Sequence, residues 1–386
     1  MAEQEQFTNR FRDATERPDL TGGSRMRRYH PWRRQIELRQ PNQGKAITDN
    51  LETVTLDPRV IDIASEIEPL TREGVPFFGD FWATMVRTQF PGWIRRGLFW
   101  RYFRGIFGTD FRASHAQRFA NRFRIARQRQ RDLDKLKEDI GAYAAERGFA
   151  LVGFTRVDRR YISGGEDEQF PYDTAVVLGM EMDAALLDEM PAAEGKLVDF
   201  ETYVEAGRQV LEVARFIREQ GYRCVARTAF DSWVKYVPHA VNAGLAELGA
   251  NGVAITPEFG PRQRWAMISV DAEIEPDEPA DFGIGDYCED CLLCVRGCPG
   301  RALSEEKMWW RGVYKHKLDP TRCWPYFVKF QGCSICLKVC PFHRYGYEEA
   351  MAAYRRDGTI LGKPKGVERF VERRARRRAQ QNGQRA

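Results

Sequence analysis

Residues 288–299 read CEDCLLCVRGCP, and residues 323–341 read CWPYFVKFQGCSICLKVCP. Eight of the nine cysteines lie in these two runs. The first gives C-x2-C-x2-C-x3-C-P through Cys288, Cys291, Cys294 and Cys298. The second gives C-x2-C-x3-C-P through Cys333, Cys336 and Cys340, with Cys323 upstream. Such short spacings let one tight loop present three thiolates, and a [4Fe-4S] cube takes four. Zinc sites favour two C-x2-C pairs, so three-cysteine runs ending in Cys-Pro suit zinc poorly. Disulfides belong to oxidising compartments and mostly to small secreted chains. Two [4Fe-4S] clusters are therefore the expected occupants.

The pattern resembles that of the bacterial dicluster ferredoxins, in which the cysteine before proline ligates the other cluster. That crossing assigns Cys288, Cys291, Cys294 and Cys340 to one cluster, and Cys298, Cys323, Cys333 and Cys336 to the other. The second run departs in one respect: nine residues, 324–332, separate Cys323 from Cys333 where two are usual.

The chain has 386 residues, room for one large domain and a small one, or for two. Its 43% hydrophobic content is ordinary for a globular protein. A net charge of +5, from 60 basic and 55 acidic residues, is too small to point to nucleic acid by itself, although arginines crowd both ends. No run of about 18 apolar residues occurs, so no transmembrane helix is expected. The pair Arg27-Arg28 is followed by polar and aromatic residues, Tyr29 to Arg34, rather than by the apolar stretch of a twin-arginine export signal. The expected compartment is the cytoplasm, which suits reduced cysteines.

Residues 1–131 divide into a polar, arginine-rich arm and an aromatic, basic region, where Phe77, Trp82, Trp93 and Trp100 interleave with Arg87, Arg95 and Arg104. Three readings of that region are open. It can lie on a membrane surface, stack on nucleic acid, or, as the favoured reading, cap the core or a substrate pocket with its aromatics. Residues 132–280 alternate helix and strand. A helix follows Leu133, Leu136, Ile140 and Tyr143 and ends at Gly148, and a longer one follows Tyr203, Val210, Ala214 and Ile217 and stops at Gly221. Strands are expected at 149–154, 173–182, 222–228, 253–256 and 265–270, with a helix at 236–248. The fold class is α+β, with its layers in this core. An acidic linker, 273–279, leads to the cysteine domain, 281–350, and a basic tail, 351–386, follows.

A second redox centre has no nucleotide-binding G-x-G-x-x-G after a strand and no D-x-H-x-x-G, the signature that gives cobalt a histidine. None of His30, His115, His239, His316 and His343 has a partner at metal-ligand spacing. What remains is residues 231–264, DSWVKYVPHAVNAGLAELGANGVAITPEFGPRQR. Gly244, Gly249, Gly252 and Gly260 allow main chain to approach a bulky ligand. Asp231, Tyr236, His239, Asn242, Arg262 and Arg264 offer a proton donor and anion-stabilising groups. A plain helix–turn–strand unit with polar surface residues has the same composition.

Taken in order, VVLGMEMD (176–183), FIREQGY (216–222), AGLAELGANGVAITPEFGPRQR (243–264) and the two cysteine runs resemble the cobalamin-dependent reductive dehalogenases and their relatives, the epoxyqueuosine reductases. The likeness covers about residues 149–347. It implies a nitroreductase-like α/β core binding a base-off corrinoid (cobalamin) with no protein histidine on cobalt, followed by a bacterial-ferredoxin-type domain with two [4Fe-4S] clusters. It gives His239, Gly244, Leu245, Gly249, Gly252, Pro257 and Gly260 to the corrinoid site. The implied reaction relays single electrons through the clusters to cobalt and takes a proton from an acid near the upper face. Dehalogenases of this kind use a tyrosine, helped by an asparagine or lysine and an arginine; these would be Tyr236, Asn242, and Arg262 or Arg264. Epoxyqueuosine reductases use an aspartate, which would be Asp231, with one residue fewer than usual before Ala243. The usual AGLGE reads AGLAE here, with Ala246 replacing a glycine. The sequence leans to the dehalogenase side. The implied partners are a small organohalide and an external electron donor: ferredoxin, flavodoxin or a reductase. Under the epoxyqueuosine alternative the partner is tRNA, and a non-catalytic dicluster electron carrier without corrinoid is a third expectation.

Overall fold

Strand β2 (Thr174–Glu181) is apolar along almost its whole length because both of its faces are covered. It pairs antiparallel with β1 (Leu151–Arg156) on one side and β6 (Gln263–Val270) on the other. β6 also pairs antiparallel with β3 (Cys224–Arg227), giving the order β1-β2-β6-β3. Successive strand residues alternate between faces. Val176, Leu178, Met180, Ala266, Ile268 and Val270 face helices α1 (Leu133–Glu146) and α3 (Gly195–Glu219). Ala175, Val177, Trp265 and Met267 face α4 (Tyr236–Asn242) on the other side. This computed structural model describes residues 120–121, 129–161, 170–191, 195–227, 234–310, 313–319, 322–323, 326–327 and 333–363. The expectations for residues 1–119, for Asp231 and for the tail beyond residue 363 lie outside the described residues.

Asp132 caps α1 by accepting the Lys135 amide at 3.0 Å, and Leu136, Ile140 and Ala144 form its buried stripe. Each fully buried leucine or isoleucine in this layer contributes roughly 1.5–3 kcal/mol of transfer free energy. Helix α4 is shorter than the 236–248 expected, because the chain turns left-handed at Gly244, φ +67°. Strands β4 (Glu247–Leu248) and β5 (Ala254–Ile255) then form a small ladder, followed by a tight turn closed between Thr256 and Gly260.

The acidic segment 273–279 is docked rather than a free linker. Ile274 is buried, and Asp277 runs along the outer edge of β1: its amide donates to the Phe154 carbonyl at 2.8 Å, and its carboxylate accepts the Phe154 amide at 2.8 Å. Lys137 pairs with the same carboxylate at 2.6 Å.

The cysteine domain comprises α5 (Ile284–Cys291), α6 (Leu293–Gly297), the hairpin β7 (Leu303–Trp310) and β8 (Val313–Leu318), α7 (Ile335–Lys338), α8 (Pro341–Arg344) and α9 (Tyr347–Asp357). The hairpin fills the spacer between the cysteine runs. Residue 350, expected as a boundary, falls inside α9, and Ala350, Met351 and Ile360 are buried in the same apolar cluster as the cysteines.

Core and cysteine domain meet main chain to main chain. A Cβ on Gly260, φ +58°, would stand 2.8 Å from both the carbonyl carbon and oxygen of Phe342. Gly260→Ala is therefore expected to destabilise the protein by about 1–2 kcal/mol from left-handed backbone alone, with the clash added. Urea unfolding measures this, and an unchanged midpoint would show that the turn yields freely. On another side lies α2 (Ala184–Asp188): Lys338 Nζ donates to the carbonyls of Asp188 and, at 3.0 Å, Met190, and His343 Nε2 meets the Asp188 carboxylate at 3.0 Å. Among the described residues no helix is long and apolar enough to cross a membrane.

Candidate functional site

The turn from α5 into α6 gathers three thiols of the first run, and the start of α8 brings Cys340 to them. Cys288, Cys291, Cys294 and Cys340 line one cavity, whose walls also include Ala250, Asn251, Tyr287 and Phe342. All four cysteines are buried. Burial pushes the Cys288 thiol up to about 12, raises that of Cys291, and holds Cys294 and Cys340 well above the ordinary thiol value. Iron takes thiolates, so filling such a site would release protons.

The other four form a second group. After burial, the influences that raise Cys323 come from Cys336, Cys298 and Cys333. Burial and then Cys333 and Cys298 push Cys336 up to about 12. The structure thus places Cys340 with Cys288, Cys291 and Cys294, and Cys298 near Cys323, Cys333 and Cys336. The groups adjoin, since Cys336 also acts on Cys294.

Both runs use the same turn. Leu292 follows Cys291 and Ser334 follows Cys333, and both are left-handed, at φ +52° and +51°. In each turn the amide two residues beyond the cysteine, that of Leu293 or Ile335, donates to the thiol. A left-handed residue other than glycine costs roughly 1–2 kcal/mol, so two at equivalent places mark a repeated device. Amides aimed at sulfur favour the thiolate that iron requires. The Ala250 amide serves Cys288 in this way, and those of Phe342 and His343 serve Cys340. Among the described residues no three His, Cys, Asp or Glu side chains suit a single metal ion. The ligands of a cube surround a volume, each on its own iron, rather than converging on one point.

Ala250 belongs to the segment expected to hold a corrinoid. Its glycines mostly let chain meet chain. A Cβ on Gly244 would stand 2.4 Å from the Glu278 carbonyl oxygen, and one on Gly249 2.4 Å from Ile255 Cδ1. Gly252 turns at φ +79°. Leu245 packs on Gly153, where a Cβ would come within 3.0 Å of it. Pro257 lies in the turn closed by Thr256 and Gly260. His239 is fully buried. Its Nδ1 donates to the Lys235 carbonyl at 2.6 Å and its Nε2 accepts the Asp158 amide at 3.1 Å, so both nitrogens are spent on main chain. Burial lowers its pKa, which keeps Nε2 an acceptor.

The candidate proton-delivery residues are dispersed. Tyr236 opens α4 and Asn242 closes it, both half-buried. A six-residue offset turns them about 120° apart around the helix. Arg264 sits 4.8 Å over the Tyr203 ring of α3, on the sheet face opposite α4. Arg262 pairs with Glu181, donates to the Met182 carbonyl at 3.4 Å and lies 5.6 Å over the Phe259 ring, which ties the turn to the end of β2.

One residue that the sequence did not single out as a candidate stands close to the thiols. Glu247 is 2% exposed; its Oε1 accepts the amides of Phe282 and, at 3.1 Å, Gly283, and its Oε2 accepts that of Gly285 at 2.8 Å. It thereby fastens the glycine segment to the start of α5. Beside it opens a cavity of about 180 Å³, bounded by Leu248 to Ala250, Cys288, and Lys307 and His316 of the hairpin. AGLAE displayed an acid, but its partners lie 35 to 38 residues away, beyond any local pattern.

No protein-family model matches the chain. Over part of its length the chain is similar to reductive dehalogenases and, at lower identity, to epoxyqueuosine reductases. It is 32% identical over 189 residues to a tetrachloroethene reductive dehalogenase of Desulfitobacterium hafniense, covering 45% of this chain and 34% of that protein. It is 24% identical over 263 residues to an epoxyqueuosine reductase of Staphylococcus aureus, covering 55% of this chain and 66% of that protein. Among solved structures, a catabolic reductive dehalogenase in complex with 3-bromo-4-hydroxybenzoic acid aligns with a TM-score of 0.52 and 25% identity, over 57% of this chain and 34% of that one. The chain spans about a third of the length of these dehalogenases.

Proposed function

We propose that the chain is an oxidoreductase of the reductive dehalogenase kind, with two [4Fe-4S] clusters and a corrinoid, removing halide from a small organohalide. One observation carries this: the glycine-rich segment that resembles that of the dehalogenases is hydrogen-bonded to the cysteine domain, the Ala250 amide donating to Cys288 and Glu247 accepting amides at the start of α5. The four-stranded antiparallel sheet supports a nitroreductase-like core, and the repeated left-handed turns support a ferredoxin-type domain. Cys288, Cys291, Cys294 and Cys340 would hold one cluster, and Cys298, Cys323, Cys333 and Cys336 the other. Bound here, the clusters would supply single electrons and the corrinoid a low-potential metal for carbon–halogen cleavage.

The net change consumes two electrons from an external donor and one proton, replaces the carbon–halogen bond by carbon–hydrogen, and releases halide. The chain's own part is to bury the thiols, direct amides at their sulfurs and deliver that proton. The proton comes from the Tyr236 hydroxyl or the Asp231 carboxyl, with Asn242 as the assisting amide. Arg264, on the far face of the sheet, is left out of that group. Tyr236→Phe and Asp231→Asn, made separately, are expected to differ: one loses at least about 100-fold in turnover and the other does not. Iron and cobalt content should stay unchanged in both, and equal activities would remove both from the role.

The overall test is iron and cobalt content of anaerobically prepared protein supplied with cobalamin, followed by halide release from aryl and alkyl halides. About eight irons with one cobalt and released halide are expected. About eight irons and no cobalt would leave an electron carrier. The epoxyqueuosine reductase reading draws on the larger share of both chains covered in that comparison. It requires salt-dependent tRNA binding, and no binding at low salt removes it.

A further inference from the structure

The cavity beside Cys288 is chemically specific. His316, on β8, lines it and is 5% exposed. Its Nδ1 lies 3.1 Å from the Ser304 carbonyl, which can only accept, so Nδ1 carries the proton and Nε2 presents a lone pair. That Nε2 is buried and has no hydrogen-bond partner. A buried acceptor left unmatched is costly, and in a native fold it calls for a donor. Burial also holds the imidazole pKa below its ordinary value, in keeping with the neutral ring.

The remaining walls narrow the class of donor. Asp281 and Asp286 line the cavity and disfavour an anion. The oxygens of Glu247 are already engaged by main-chain amides. Lys307, paired with Glu289 at one edge, adds an ammonium that disfavours a cation. Among the described residues no three His, Cys, Asp or Glu side chains suit a metal ion. A neutral group with both N–H donors and a carbonyl acceptor satisfies every wall, and a primary carboxamide is that group. The cavity also touches Leu248 to Ala250 and Cys288, the segment and thiol assigned above to corrinoid and cluster. Corrinoids carry primary carboxamides around their rim.

We infer that this cavity receives a carboxamide arm of the corrinoid, with His316 Nε2 accepting its N–H and Lys307 facing its oxygen. The inference rests on the proposed function, and it makes His316 a cofactor-specificity residue on the hairpin between the two cysteine runs.

The test is equilibrium binding, followed by visible absorbance, of hydroxocobalamin and of its separated monocarboxylic acid derivatives, each with one rim amide converted to carboxylate. The protein is the full chain with its iron content verified. His316→Phe is expected to weaken hydroxocobalamin binding about ten-fold at unchanged iron content. His316→Gln, which restores an acceptor, is expected to recover most of the loss. With the unaltered protein, one monocarboxylic derivative should bind at least about ten-fold more weakly than the others, because its carboxylate would meet Asp281 and Asp286. Equal affinity of His316→Phe and the unaltered protein, or equal affinity for all the derivatives, overturns the inference while leaving the proposed function standing. The derivative series needs no variant, so it decides the matter even if His316→Phe misfolds. Failure of the unaltered protein to bind hydroxocobalamin at all overturns the corrinoid reading itself, and this inference with it.

Discussion

Replacing Cys288 and Cys340 together is expected to cost no more iron than replacing either alone. The two lie far apart in sequence but line one cavity with Cys291 and Cys294. A cube that loses one thiolate is commonly lost whole, so Cys288→Ser should lower the iron from about eight to about four per chain. Cys340→Ser should do the same, and the double variant should stay at about four, since both changes strike one cluster. Cys333→Ser with Cys340→Ser should instead bring iron close to zero, although these two cysteines share one run and stand in one C-x2-C-x3-C motif. The crossed arrangement groups Cys333 with Cys298, Cys323 and Cys336, in keeping with Cys298 raising the thiols of Cys323, Cys333 and Cys336 after burial has done so. This is a double-mutant cycle read in metal rather than in energy. Iron and sulfide content, with electron paramagnetic resonance of the reduced protein, measures it. If the Cys333/Cys340 pair retains about four irons while the Cys288/Cys340 pair retains none, each run serves its own cluster and the crossed arrangement is wrong.

What the sequence showed and what it hid follow from range. Cysteine spacing is local, and loops that short have few ways to point their thiols, so the two runs were legible before any fold was known; the crossing of Cys298 and Cys340 between them came only from the likeness to the dicluster ferredoxins. β2 was legible because burial on both faces leaves an unbroken apolar run. The end of α4 was not, because Leu245 and Leu248 continue the apolar pattern while the left-handed turn at Gly244 ends the helix. The β7–β8 hairpin was missed for a related reason. Lys315, His316 and Lys317 are buried in it, at 4%, 5% and 3% exposure, and three such residues in a row read as surface. The face of Arg264 was half legible. Strand alternation puts it with Ala266 and Ile268, but only the packed structure shows that α3 covers that face and α4 the other. Asp277 and Glu247 act on main chain far away in sequence, where periodicity is silent.

Glu247→Ala is expected to destabilise the protein by about 2 kcal/mol or more, because it would leave the half-buried amides of Phe282 and Gly285 without acceptors, at roughly 1–3 kcal/mol each, while the Gly283 amide keeps the Asp281 carboxylate at 3.0 Å. Glu247→Gln keeps one oxygen and should fall between the two proteins. The pH dependence separates charge from shape. Burial raises the Glu247 carboxyl above its ordinary value, outweighing the amides that lower it. A carboxyl with a higher pKa folded than unfolded binds more protons in the folded state. Stability therefore falls as pH rises from the unfolded value through the raised folded one, and levels off above it. Glu247→Gln has no such group, so the advantage of the unaltered protein over it should shrink with rising pH across that window. Urea midpoints at several pH values test both statements, and an unchanged midpoint in Glu247→Ala would sink them together. The same change should reach the thiols unequally. α5 carries Cys288 and Cys291, whereas Cys323, Cys333 and Cys336 lie outside it. Under mild chelation Glu247→Ala should lose the iron held by the first four ahead of that held by the second. Equal loss from both groups would mean that Glu247 supports the domain as a whole rather than the placement of α5.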